Sequence, residues 1–174
     1  MRYEPHFYQT YAKDFILHHK EAAIFLDCGL GKTVVTLTAI EELLHDFFEI
    51  GKVLVIAPLR VARDTWPSEI IKWEHTKNIR ASVVMGTPRE RTAALAQRAD
   101  VYIINRENVK WLIEESGAVL DFDMIVIDEL SSFKSHQAKR FRSLLKLRPA
   151  VKRIVGLTGT PSANGLMDLW AQFR

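Results

Sequence analysis

The run Cys28-Gly29-Leu30-Gly31-Lys32-Thr33 sets two glycines, a lysine and a hydroxyl side by side. Glycines let a backbone turn its N–H groups inward around phosphate oxygens, a lysine ammonium neutralises β- and γ-phosphates, and a threonine hydroxyl is a hard ligand for Mg2+. The run follows the apolar segment Ala22–Asp27 and opens a segment of helical period, so the positive end of a helix would face the same anion. The general pattern G-x-x-x-x-G-K-[ST] asks for glycine where this chain has Leu26. Such a loop needs an acid from a neighbouring strand, and Ile125-Val126-Ile127-Asp128-Glu129 provides a pair. Asp128 would stand beside Mg2+, and Glu129 would orient or deprotonate an attacking water. An acidic pair after an apolar strand is a weak signal by itself. The loop and the pair together point to a site that binds a nucleoside triphosphate with Mg2+ and transfers its terminal phosphoryl group to water.

These residues must be carried by alternating strands and helices. Ala22–Asp27, Lys52–Pro58, Ala81–Gly86, Val101–Asn105, Met124–Asp128 and Arg153–Thr158 are short apolar runs rich in β-branched residues. They lack polar alternation, so they read as strands covered on both faces, the mark of a parallel sheet. Ile40, Leu43, Leu44 and Phe47 recur at the spacing of one helix face, as do Ala138, Phe141, Leu144 and Leu145. The succession predicts an α/β fold, a three-layer α/β/α sandwich with a mostly parallel central sheet, in which ligands bind at the carboxyl ends of the strands.

Composition narrows the classes further. With 174 residues, the chain fits one α/β domain. A single cysteine allows no internal disulfide, no apolar run is long enough to cross a bilayer, and the N-terminus lacks the apolar core of a secretory signal. The expected location is the cytoplasm, or the nucleus in a eukaryote, without secretion. Net charge is only +3, yet Leu130–Arg153 holds eight basic residues and no acid, either a surface near phosphates or a solvated helix face. Trp66, Trp73, Trp111 and Trp170 fall at the apolar spacing of expected helices, so core packing is expected of them rather than stacking on bases.

Six stretches resemble the Swi/Snf-type ATPases of helicase superfamily two, in particular their first RecA-like domain. The family's loop reads like D-E-M-G-L-G-K-T, so a missing first glycine is expected there. Tyr3–Ile16 resembles the family's opening segment, whose glutamine reads adenine, here Gln9. Ala57–Trp73 resembles motif Ia and Ile103–Leu112 motif Ib, which border nucleic acid in the family. The resemblance thereby implies phosphate-backbone contacts at Arg60 and Asn105, and at Lys134 downstream of the acidic motif. Gly156–Trp170 resembles motif III, where Thr158 and Thr160 would couple the phosphate state to contacts between domains, with Asn164 at the asparagine that follows. Leu130 and Ser131 depart from the small residue and histidine that often follow the acidic pair.

The resemblance implies ATP and Mg2+ as cofactors and duplex DNA bound through its phosphates, and the apolar pattern implies no membrane. It also implies a partner, a second RecA-like domain in the same longer chain or in trans, that brings an arginine finger. Such a finger contributes about 10³–10⁵ in rate in related phosphoryl-transfer systems, so residues 1–174 by themselves are expected to hydrolyse ATP slowly or undetectably. Two alternatives stay open: a strand-separating DEAD/DEAH-like helicase on RNA or DNA, and a lone domain that uses ATP as a switch for a partner.

Overall fold

The structure is a computed structural model that describes residues 1–129 and 151–159. Its strands are β1 (Glu21–Phe25), β2 (Val53–Ala57), β3 (Ala81–Val84), β4 (Val101–Asn105), β5 (Met124–Asp128) and β6 (Arg153–Thr158). Its helices are α1 (Phe7–His18), α2 (Lys32–Glu41), α3 (Trp66–Lys72), α4 (Pro88–Leu95) and α5 (Val109–Glu114). The strands form one parallel sheet in the order β1-β6-β5-β2-β4-β3. All six apolar runs became strands, and β4, β5 and β6 keep the boundaries expected from the sequence.

Side chains alternate across each strand, and both faces are covered. Val53, Val55, Val101, Ile103, Met124, Val126, Val155 and Leu157 join one core layer with residues of α1, α2 and α3. Leu54, Ile56, Tyr102, Ile104, Ile125, Ile127 and Ile154 join the opposite layer with Ala94 of α4 and Leu112 of α5. This explains why the strands carry no polar alternation: neither parity meets water. The same alternation puts Asp128, two positions beyond Val126, on the α2–α3 side of the sheet.

Two wide helical turns alter the expected pattern. Glu42–Asp46 continues α2 as π-type winding, and Phe47 at its end is 60% exposed while Ile40, Leu43 and Leu44 are buried. The expectation that Phe47 completes the buried stripe therefore fails, because π winding advances less per residue and turns the next side chain off the face. A second such turn, Val61–Thr65, leads directly into α3. The stripe from Ala138 to Leu145 and Trp170 lie outside the described residues.

Opposite the site, Arg153 anchors the sheet to α1. Its guanidinium donates to the carbonyls of Ile16, Leu17 and His19 at the end of that helix and pairs with Glu49 at 2.7 Å. Lys152 pairs with Asp123 at 2.9 Å. These two members of the basic segment are thus engaged in ion pairs of the fold; Arg153 is buried, whereas the Lys152 side chain stays largely exposed.

Candidate nucleotide site

The register of the sheet gathers the site. β6 lies between β1 and β5, with Phe25 opposite Thr158 and Asp128 opposite Leu157. Adjacent strands are spaced about 4.8 Å, so the loop after β1 and the acid at the end of β5 stand roughly 10 Å apart across β6. Gly29 and Gly31 take φ of 84° and 82°, the left-handed region that glycine enters without strain. Gly31 is the N-cap of α2, so Lys32 and Thr33 begin the helix and the loop N–H groups lie at its positive end. The Lys32 ammonium donates to the carbonyls of Leu26 at 2.7 Å and Asp27 at 3.1 Å, which holds it at the mouth of the loop. Gly159, just past β6, comes so near that a Cβ there would lie 3.5 Å from Lys32 Nζ.

The opening segment closes one side. Gln9 is buried, its Oε1 accepts from the His6 N–H at 2.9 Å, and its Nε2 donates to the Leu30 carbonyl at 3.1 Å. It sits directly over Gly31, where an added Cβ would approach Gln9 Nε2 to 2.5 Å. Glutamine, loop and α3 together line a cleft of about 600 Å³ that includes Tyr3, Gln9, Gly31, Lys32, Thr33 and Trp73. Trp73 is half-buried rather than a core residue, and Tyr3 packs edge-on against it at 5.4 Å. Burial, helped by Tyr8, pushes the Tyr3 phenol up to about 12.

Asp128 forms the back of the site. It is only 8% exposed, and the Trp66 indole N–H donates to its Oδ2 at 2.9 Å. Burial raises its pKa above the ordinary carboxylate value; the indole hydrogen bond, the Lys32 charge and a hydrogen bond from the Glu129 backbone pull the other way without prevailing, while the Glu129 charge adds to the rise. A desolvated carboxylate of this kind is stabilised by a cation. Thr33 at the start of α2 and Asp128 offer the hard oxygens that Mg2+ prefers, so the residues fit Mg2+ bound with a nucleotide. Glu129 is half-buried with φ of 64°, a left-handed backbone that is uncommon for a non-glycine residue and that it shares only with Phe48 among the described non-glycine residues. Sequence reasoning did not find the Trp66 contact. Its signal lay in the strand parity of Asp128 together with the position of Trp66 at the head of α3.

Comparison with known proteins decides the family. A family profile described as "SNF2-related domain" matches residues 8–174. The chain belongs to the SNF2-related family. It is 41% identical to "Putative protein p41" of Acyrthosiphon pisum secondary endosymbiont phage 1 over 98% of this chain and 38% of that protein. It is 32% identical to "Transcription regulatory protein SNF2" of Saccharomyces cerevisiae over 88% of this chain and 9% of that protein. It thus spans well under half the length of either relative. The fold matches the Sulfolobus solfataricus SWI2/SNF2 ATPase core in complex with dsDNA with a TM-score of 0.79 at 24% identity, covering 98% of this chain and 35% of that one.

The remaining residues expected to serve this SNF2-related domain are distributed around the same sheet edge. Arg60 is exposed and precedes the wide turn that leads into α3. Asn105 ends β4 but is buried, donating to Glu107 at 2.9 Å and accepting from Asn108 at 2.6 Å. Asn108 in turn accepts from Arg91, whose guanidinium lies 4.1 Å from the Trp111 ring centre. Asn105 thus belongs to a partly buried polar chain that ties the end of β4 to the turn after it. Thr158 is fully buried at the end of β6. Lys134, Thr160 and Asn164 lie outside the described residues.

Proposed function

We propose that the domain binds ATP with Mg2+ and forms the nucleotide-binding half of a motor that hydrolyses ATP while moving along duplex DNA. The observation that carries the reading is the convergence of the Gly29–Thr33 loop and buried Asp128 on one edge of a parallel sheet in an SNF2-related chain. The solved Sulfolobus ATPase core with the same fold was captured with double-stranded DNA, which supports the choice of partner.

In this reading, the loop N–H groups and the Lys32 ammonium surround the β- and γ-phosphates, with Lys32 exchanging its carbonyl partners for phosphate oxygens. Thr33 and Asp128 hold Mg2+. When bound, the ion offsets charge that develops on the phosphate oxygens. Glu129 orients the attacking water and accepts its proton. Gln9 keeps one amide hydrogen and one carbonyl lone pair beyond its bonds to Leu30 and His6, a donor–acceptor pair that suits the N7 and N6 edge of adenine. Arg60 and Lys134 meet DNA phosphates, while Asn105 acts from below by fixing the loop after β4. Thr158 and Thr160 relay the phosphate state to a second RecA-like domain, in the same longer chain or in trans, which supplies an arginine finger.

The test is ATP hydrolysis by the longest natural polypeptide that contains these residues, with and without duplex DNA, beside a strand-displacement assay. The reading expects hydrolysis stimulated by duplex without separation of strands. Strand displacement coupled to hydrolysis would indicate the helicase alternative, and nucleotide-dependent partner binding without turnover would indicate a switch.

A further inference from the structure

The contact between Trp66 and Asp128 spans 62 residues and joins the head of α3 to the acid of the metal site. The indole ring is 0% exposed, so its N–H has no access to water, and Asp128 Oδ2 at 2.9 Å is its acceptor. An indole N–H only donates; it neither titrates nor accepts in the physiological range. It therefore fixes the rotation of the carboxylate without competing for a cation. Packing alone would be served by phenylalanine at this position. The wide turn Val61–Thr65 immediately before the residue carries the ring to the sheet face on which strand alternation places Asp128.

We propose that Trp66 is a positioning residue of the metal site: its indole N–H holds Oδ2 so that the Asp128 carboxylate is preset to receive Mg2+. The inference rests on the reading of Asp128 as a metal ligand and adds the group that orients it. Partners in the shell behind a metal ligand typically contribute about 10–100-fold in metal affinity.

The experiment measures binding of a methylanthraniloyl-labelled ATP to the chain by fluorescence anisotropy, once with saturating Mg2+ and once in EDTA. The ratio of the two affinities is the gain due to the ion. In Trp66→Phe this gain should fall about tenfold while the affinity in EDTA stays at the wild-type value. Replacing Trp66 with 3-benzothienylalanine, which keeps the ring shape and lacks the N–H, should reproduce the loss; it decides the matter if Trp66→Phe does not fold. An unchanged gain in the isostere, or equal weakening with and without Mg2+, would overturn the proposal and leave Trp66 a packing residue. Asp128→Asn serves as the reference. If it lowers the gain and the Trp66 variants do not, the positioning role is refuted and the metal site stands. If Asp128→Asn itself leaves the gain unchanged, the metal reading falls and the positioning role falls with it.

Discussion

At the scale of single residues, the loop is legible because its chemistry is local. Glycines at positions 29 and 31 foretell left-handed backbone, and the structure places both there. Gly31 also has a neighbour that spacing does not reveal, Gln9, whose amide occupies the place of a Cβ. Gly31→Ala is expected to cost on the order of 1–2 kcal/mol for the left-handed conformation alone and to weaken ATP binding. Adding Gln9→Ala should recover the part due to collision but not the backbone cost. Thermal unfolding with and without ATP measures both. The Trp66–Asp128 bond could not be read from spacing, since it depends on which face of β5 meets α3 and on the winding of Val61–Thr65.

At the scale of elements, the strands were legible as runs without alternation, whereas charge in sequence misled. Arg153 reads as part of a basic segment, yet its side chain is 5% exposed and serves as the cap of α1 and the partner of Glu49. Arg153→Met would leave those carbonyls and Glu49 unpaired and is expected to cost about 2–3 kcal/mol, with Arg153→Lys recovering only part because the fork of donors is lost. The urea midpoint at constant m-value checks this. Asp123 ties the amino ends of β2, β5 and β6. Burial pushes its pKa up, but hydrogen bonds from Lys152, Gly51 and Lys52 outweigh that and hold it below the usual 3.8. A depressed folded pKa means that the unfolded chain binds more protons in this window, so the stabilisation is complete above the unfolded value and fades as pH falls through the folded one. Asp123→Asn should therefore destabilise at pH 7 by about 1–2 kcal/mol, and the gap to wild type should close once pH drops below that range. Melting curves across pH decide it.

At the scale of the whole molecule, order in the sheet turns residues far apart in sequence into one site. The sequence names the loop and the acid, but only the order β1-β6-β5 places Thr158 between them and brings Gly159 against Lys32. That order rests on pairings between strands distant along the chain. Phosphate-dominated DNA binding by the motor should weaken steeply with salt, by orders of magnitude between low and moderate ionic strength if several phosphates are neutralised; anisotropy of labelled duplex across a salt series reads the slope. The most direct test of the central claim measures ATP binding and hydrolysis side by side in the longest natural polypeptide and its Lys32→Ala and Glu129→Gln variants. The account predicts that Lys32→Ala loses binding, while Glu129→Gln keeps binding and loses turnover. Equal binding and equal turnover in all three proteins would contradict it.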